Sequence, residues 1–156
     1  MAGFRFVAAA GKWVGYIPLL VCLSSVPCAA APTDEYQLKA ALIYKLTKFI
    51  EWPEAAEGRA LESFGICLLG DDLFGDSLDA LAKRKAKDMH MMIYRHAHSE
   101  AIDQRCQILF ISDSKQAFLG SILQSLQGRP ILTLGDMQGF AERGGILQFT
   151  RGKKRI

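Results

Sequence analysis

From Cys106 to Leu134 the chain reads CQILFISDSKQAFLGSILQSLQGRPILTL. Cys106 to Ile111 is a short apolar run of strand length, ended by Ser112, Asp113 and Ser114. Lys115 to Leu126 follows with helical spacing, which predicts a helix whose inner face carries Phe118, Ile122, Leu123 and Leu126. Gly128 closes that helix as an αL terminator would. Arg129 to Leu134 is a second apolar strand, ended by Gly135 and Asp136. Strands that are apolar on both faces, alternating with helices, imply a largely parallel sheet covered on both sides.

The alternation continues outward in both directions. Upstream, Phe64 to Leu69 is a third strong strand, ended by Gly70, Asp71 and Asp72. Leu73 to Leu81 reads as a short helix, Lys83 to Lys87 as a turn or brief edge strand, Met89 to Tyr94 as a strand, and Ser99 to Gln104 as a short helix. Downstream, Met137 to Glu142 reads as a short helix, and Gly144-Gly145 turns into a last strand from Ile146 to Phe149. Further upstream, the stretch EYQLKAALIYKLTKFIEWP, Glu35 to Pro53, predicts a long helix. Thr33 or Asp34 would cap it and Pro53 would stop it. Leu38, Ala41, Leu42 and Phe49 mark its apolar face, with Ile43, Leu46 and Ile50 widening that face. Glu54 to Glu62 is polar and reads as a loop. The fold class is therefore α/β: a single domain with a largely parallel sheet flanked by helices, a Rossmann-like sandwich.

The first thirty residues have a different character. Arg5 and Lys12 precede or open an apolar run from Trp13 to Leu23, and small residues lead to Ala29 and Ala30 with no acidic residue anywhere. A basic start, an apolar core of about ten residues and a small-residue end describe a cleaved secretory signal, too short to span a membrane. The expected organisation is a signal peptide over residues 1–30 and a domain over residues 31–156, and the expected location is periplasmic. Cys22 and Cys28 are preceded by Val21 and Pro27, not by the small residue that a lipid-attachment box needs.

Without the signal, Lys and Arg fall from 19 to 17 against 16 Asp and Glu, a net of +1. That balance is no nucleic-acid signature. Two cysteines remain, Cys67 and Cys106, and an oxidising compartment favours their joining; buried free thiols in neighbouring strands are the alternative. Arg151, Lys153, Lys154 and Arg155 form a basic end, read as solvated.

Three polar turns follow the three strong strands. In open α/β sheets small ligands bind outside the carboxyl ends of strands, where the strand order reverses. Gly70, Asp71, Ser112, Asp113, Gly135 and Asp136 are therefore the candidate ligand pocket. The same Asp and Ser residues also suit the caps of the helices that follow, which is the preferred reading. No phosphate-binding glycine motif, activated nucleophile or convincing metal spacing occurs, His90, His96 and His98 included, so no catalytic residue, cofactor or metal is expected. Lys48, Glu51 and Trp52, at the end of the first helix, are the candidate partner contact, although Trp52 fits the domain's own core better.

Four blocks, KAALIYKLTKFIEWP, FGICLLGDDLFG, CQILFIS and ILTLGDMQGFAERGGILQF, resemble the YfiR family of periplasmic proteins, in order and over nearly the whole mature chain. The resemblance implies an α/β fold, a homodimer and a non-enzymatic role. It implies a negative regulator that binds the periplasmic sensor domain of an inner-membrane diguanylate cyclase and lowers cyclic-di-GMP. It also implies sequestration by an outer-membrane lipoprotein with an OmpA-like domain. Cys67 and Cys106 match positions that form a disulfide in that family. Relatives continue with a further strand and helix, so the resemblance implies a C-terminally truncated domain ending at Ile156. A periplasmic small-molecule binding protein is the alternative function.

Overall fold

The computed structural model describes residues 32–53, 63–99, 102 and 104–150. The expected signal peptide, the Glu54 to Glu62 loop, the basic end and part of the Ser99 to Gln104 segment lie outside those residues.

The first helix, α1, spans Pro32–Phe49. The strands are β1 (Ser63–Leu69), β2 (Lys85–Ala86), β3 (Met89–His96), β4 (Cys106–Ile111), β5 (Leu132–Gly135) and β6 (Leu147–Gln148). Helix α2 covers Asp76–Ala82, and α3 covers Leu119–Ser125 behind a 3-10 turn at Asp113–Phe118. They form one six-stranded sheet in the order β2-β3-β1-β4-β5-β6. Every pairing is parallel except β2 with β3. The α/β architecture expected from the alternation is the one observed.

The two faces of the sheet build two cores. Phe64, Ile66 and Leu68 of β1 join Ile108 and Phe110 of β4 on the face covered by Ala40 and Ile43 of α1 and by Leu78 and Leu81 of α2. Cys67 and Leu69 join Leu109 and Ile111 on the other face, under Leu119, Ile122 and Leu126. Because side chains alternate along a strand, a run that is apolar at every position must be covered on both sides.

Several expectations shift in the structure. Helix α1 begins at Pro32, so Thr33 and Asp34 lie in its first turn, where a proline start is favourable. Its face is rotated: Ala40, Ile43 and Thr47 are buried, whereas Leu38, Leu42 and Phe49 are 61%, 38% and 81% exposed. The 3-10 start before α3 rotates that helix too, so Leu119 is buried and Phe118 is 63% exposed. Met137 to Glu142 forms successive turns rather than a helix, closed by hydrogen bonds such as Gly145 N–H to the Phe140 carbonyl. Those turns tuck the fully buried Phe140 ring against Gly135 and Gly145, where a Cβ on either glycine would come within 3 Å of the ring.

Candidate functional site

The three polar turns do come together. β1, β4 and β5 are neighbours and parallel, so Gly70–Asp72, Ser112–Ser114 and Gly135–Asp136 sit side by side at one edge of the sheet. The strand order reverses between β1 and β4, between Gly70 and Ser112, which is where the crevice rule points. The turns are occupied with one another there. Ser114 Oγ accepts from the Asp71 N–H at 3.0 Å, and Ser112 N–H donates to the Leu69 carbonyl. Asp113 is exposed in the first turn of the 3-10 segment.

Asp136 faces α1. Its Oδ2 accepts from the Tyr36 hydroxyl at 2.8 Å and from Lys39 Nζ at 2.5 Å. Lys39 also pairs with Glu35 at 2.7 Å, lies over the Tyr36 ring and is only 6% exposed. The pair thus ties the end of β5 to the first helix.

Asp72 organises the β1–α2 connection. One oxygen accepts from the Phe74 and Gly75 N–H groups, and the other from Arg95 Nε at 2.6 Å. Arg95 reaches Asp79 as well, at 2.9 Å. Burial pushes the Asp72 carboxyl up, but the Arg95 hydrogen bond, the two backbone donors and the Arg95 charge outweigh it, so its pKa is lowered. Arg95 is raised, chiefly by its bond to Asp72.

At the opposite edge, the end of α1 meets the start of β4. Register shifts between Gly65 and Ile66 where β1 pairs with β4, a bulge that leaves Gln107 without a partner position. Gln107 is held by its neighbours: its Oε1 accepts from Gly65 N–H, and its carbonyl accepts from Trp52 Nε1 at 3.1 Å. Gly65 is required because a Cβ there would lie 2.0 Å from the Arg105 carbonyl oxygen. Trp52 stacks edge-on against Phe64 and is half-buried, so its main contacts are within the domain. Lys48 and Glu51 beside it are exposed, with Lys48 Nζ near the Lys85 carbonyl.

The bulge carries Cys106 onto the face of Cys67, and the two are joined in a disulfide between adjacent strands, with Cα atoms 5.7 Å apart. His96 of β3 approaches from the other side: one of its ring nitrogens, Cys67 Sγ and Cys106 Sγ all lie within 4.8 Å of one another. The His96 Nε2 is buried and finds no hydrogen-bond partner among the described residues. Cys106 also lines a cleft of about 490 Å³, together with Trp52, Gln104, Gln107, Arg129 and Pro130.

Residues 36–156 match a family model described as YfiR/HmsC-like. The chain belongs to the YfiR/HmsC-like family. The match runs from Tyr36, the partner of Asp136, through the whole described sheet. No curated protein matches the chain. No helix among the described residues is long and apolar enough to cross a membrane.

Sequence reasoning missed the roles of six residues in this YfiR/HmsC-like domain. Tyr36 and Lys39 read as ordinary helix residues, and Gln107 as one polar residue in an apolar run. Helical spacing places Leu38, Leu42 and Phe49 on the apolar face, and the structure turns that stripe outward. A signal for that stripe exists in the sequence, because a helix apolar almost all round has a second face to cover.

Proposed function

We propose that this chain is a periplasmic regulatory protein that binds the sensor domain of an inner-membrane diguanylate cyclase and represses it, lowering cyclic-di-GMP. Family membership over residues 36–156 carries the reading. The outward face of α1 supports it: Leu38, Leu42 and Phe49 are exposed large apolar side chains on one stripe, beside the exposed Lys45, Lys48 and Glu51. An apolar centre with a charged rim is the usual build of a protein-binding surface. The Cys67–Cys106 disulfide suits an oxidising compartment such as the periplasm.

In this reading the protein is a binder and not an enzyme. It works as a homodimer, and an OmpA-like outer-membrane lipoprotein releases the cyclase by competing for it. The partner contact extends from Lys48 and Glu51 onto Phe49, with Trp52 holding the helix end in place. The test is cellular cyclic-di-GMP in a deletion strain restored with this chain or with its Leu42→Asp/Phe49→Asp variant. Deletion raises cyclic-di-GMP, the chain reverses the rise, and the variant, exported and folded, does not. No rise on deletion would remove the proposal.

A second reading is a periplasmic small-molecule binding protein. The cleft of about 490 Å³ beside Trp52, Gln104 and Arg129 favours it, since its size falls within the range of ligand pockets, about 300 to 1,000 Å³. Gly70, Asp71, Ser112, Asp113, Gly135 and Asp136 form the other place for a ligand, at the far edge of the sheet. A metabolite that raises the melting temperature, with the shift lost in Arg129→Ala but kept in Asp71→Ala, assigns binding to the cleft; the converse assigns it to the turns.

A further inference from the structure

We propose that reduction of the Cys67–Cys106 disulfide creates a site for one thiophilic divalent cation of the zinc type, held by the two thiolates and His96 Nε2. The three donors come from three adjacent parallel strands, β3, β1 and β4, so their backbones are fixed relative to one another. Sharing one ion at Zn–S about 2.3 Å and Zn–N about 2.0 Å puts donor atoms roughly 3.5 to 4 Å apart in a tetrahedral arrangement. The present spread of at most 4.8 Å is within a side-chain rotation of that. His96 supplies the independent sign. A buried ring nitrogen without a hydrogen-bond partner is costly and rare. The neighbours of that ring are two sulfurs that cannot donate a proton while they are bonded to each other. Reduction turns those sulfurs into partners, and a cation then satisfies all three atoms at once.

The chemistry balances. A dithiol donor gives two electrons and two protons: the Sγ–Sγ bond breaks, Cys67 and Cys106 become thiols, and the donor becomes a disulfide. The cation displaces the two thiol protons to solvent. Two thiolates, one neutral imidazole and one divalent cation sum to zero charge, which suits a site walled by Leu69, Leu109 and Tyr94. Cys106 lines the cleft beside Trp52 and Arg129, which brings solvent closest to the three donors on that side. The cation would staple three strands where the disulfide staples two.

The test titrates the purified, phosphine-reduced protein with Co2+, whose thiolate complexes absorb in the near ultraviolet, and then with Zn2+. One equivalent of Co2+ is expected to give the sulfur-to-cobalt band with native near-ultraviolet circular dichroism retained, and Zn2+ should displace it. The oxidised protein should give no band. His96→Leu removes the orphan nitrogen while keeping volume. Its oxidised form should melt as the parent does, and its reduced form should bind the cation about tenfold or more weakly, at least the loss seen when an outer-shell partner is removed. Absence of the band in the reduced protein would overturn the proposal. So would unchanged affinity in His96→Leu, or a reduced chain that stays unfolded in the presence of the cation.

Discussion

The indole of Trp52 donates its Nε1–H to the carbonyl oxygen of Gln107 at 3.1 Å, across 55 positions of sequence. That bond satisfies a carbonyl which the bulge in β4 removes from the ladder, and the Gln107 side chain does the same for the Gly65 N–H. Trp52 therefore braces the distortion that turns Cys106 toward Cys67. Trp52→Phe keeps a ring against Phe64 but orphans the carbonyl, at a cost of roughly 1 to 3 kcal/mol. We expect a lower urea midpoint with an unchanged slope, and faster loss of the disulfide under a thiol reductant, measured by alkylation and mass spectrometry. An unchanged midpoint would mean that water replaces the indole without cost.

Asp136→Ala should be destabilising whether or not a ligand binds nearby. It removes the hydroxyl partner of Tyr36 and leaves Lys39, 6% exposed, with Glu35 alone. Breaking a buried pair by removing one member typically costs about 3 to 5 kcal/mol, and Glu35 holds the loss to the lower end. Lys39→Met/Asp136→Ala removes the stranded charge and should recover part of the loss in a denaturant double-mutant cycle. Additive effects would deny the coupling. It follows that loss of a thermal shift in Asp136→Ala alone does not report on ligand contact.

The strands were the legible part of this fold. β1, β4 and β5 are apolar at nearly every position because both faces are covered, and Gly or Ser-Asp ends each of them. Side-chain direction was less legible. Apolar residues surround α1, so periodicity alone did not decide between Ile43 inward and Phe49 outward; the polar contacts of Lys39 with Asp136 decide it. The 3-10 turn at Asp113–Phe118 changes the angular step and exchanges Phe118 for Leu119. The cluster of Cys67, His96 and Cys106 has no sequence spacing to recognise, since each member sits on a different strand and a bulge sets the aim of one of them.

The Asp72–Arg95 contact makes a small, signed contribution to acid stability. Burial opposes ionisation of Asp72, yet Arg95 and two N–H groups lower its folded pKa below the unfolded one. A depressed carboxyl stabilises the fold above the unfolded value, about pH 4, and that contribution disappears as pH falls through the folded value. Arg95 is 39% exposed at its side chain, so solvent screening limits the effect to about 1 kcal/mol or less. Asp72→Asn retains acceptors for Phe74 and Gly75 but not the charge. Its stability should fall less steeply than the parent's between pH 4 and the folded pKa, as followed by urea midpoints. Parallel curves would assign the acid response to other carboxyls.

The tightest turn of the sheet offers a stabilising change. Lys85 pairs with His90 and Ala86 with Met89, so Lys87 and Asp88 alone connect β2 to β3. Both have positive φ, 47° and 68°, a two-residue hairpin of the mirror-image type that matches strand twist. Asn and Gly adopt that conformation at far lower cost than Lys and Asp, which is why Asn-Gly signals such hairpins and why Lys-Asp concealed this one. Lys87→Asn/Asp88→Gly should raise stability by about 1 kcal/mol, with relief of left-handed strain partly offset by the added freedom of glycine in the unfolded chain. Lys87 Nζ lies 5.9 Å from the Trp52 ring centroid, beside the end of α1, so losing that contact offsets part of the gain. A lower melting temperature would show that the Lys87 and Asp88 side chains hold this edge through contacts that outweigh backbone strain.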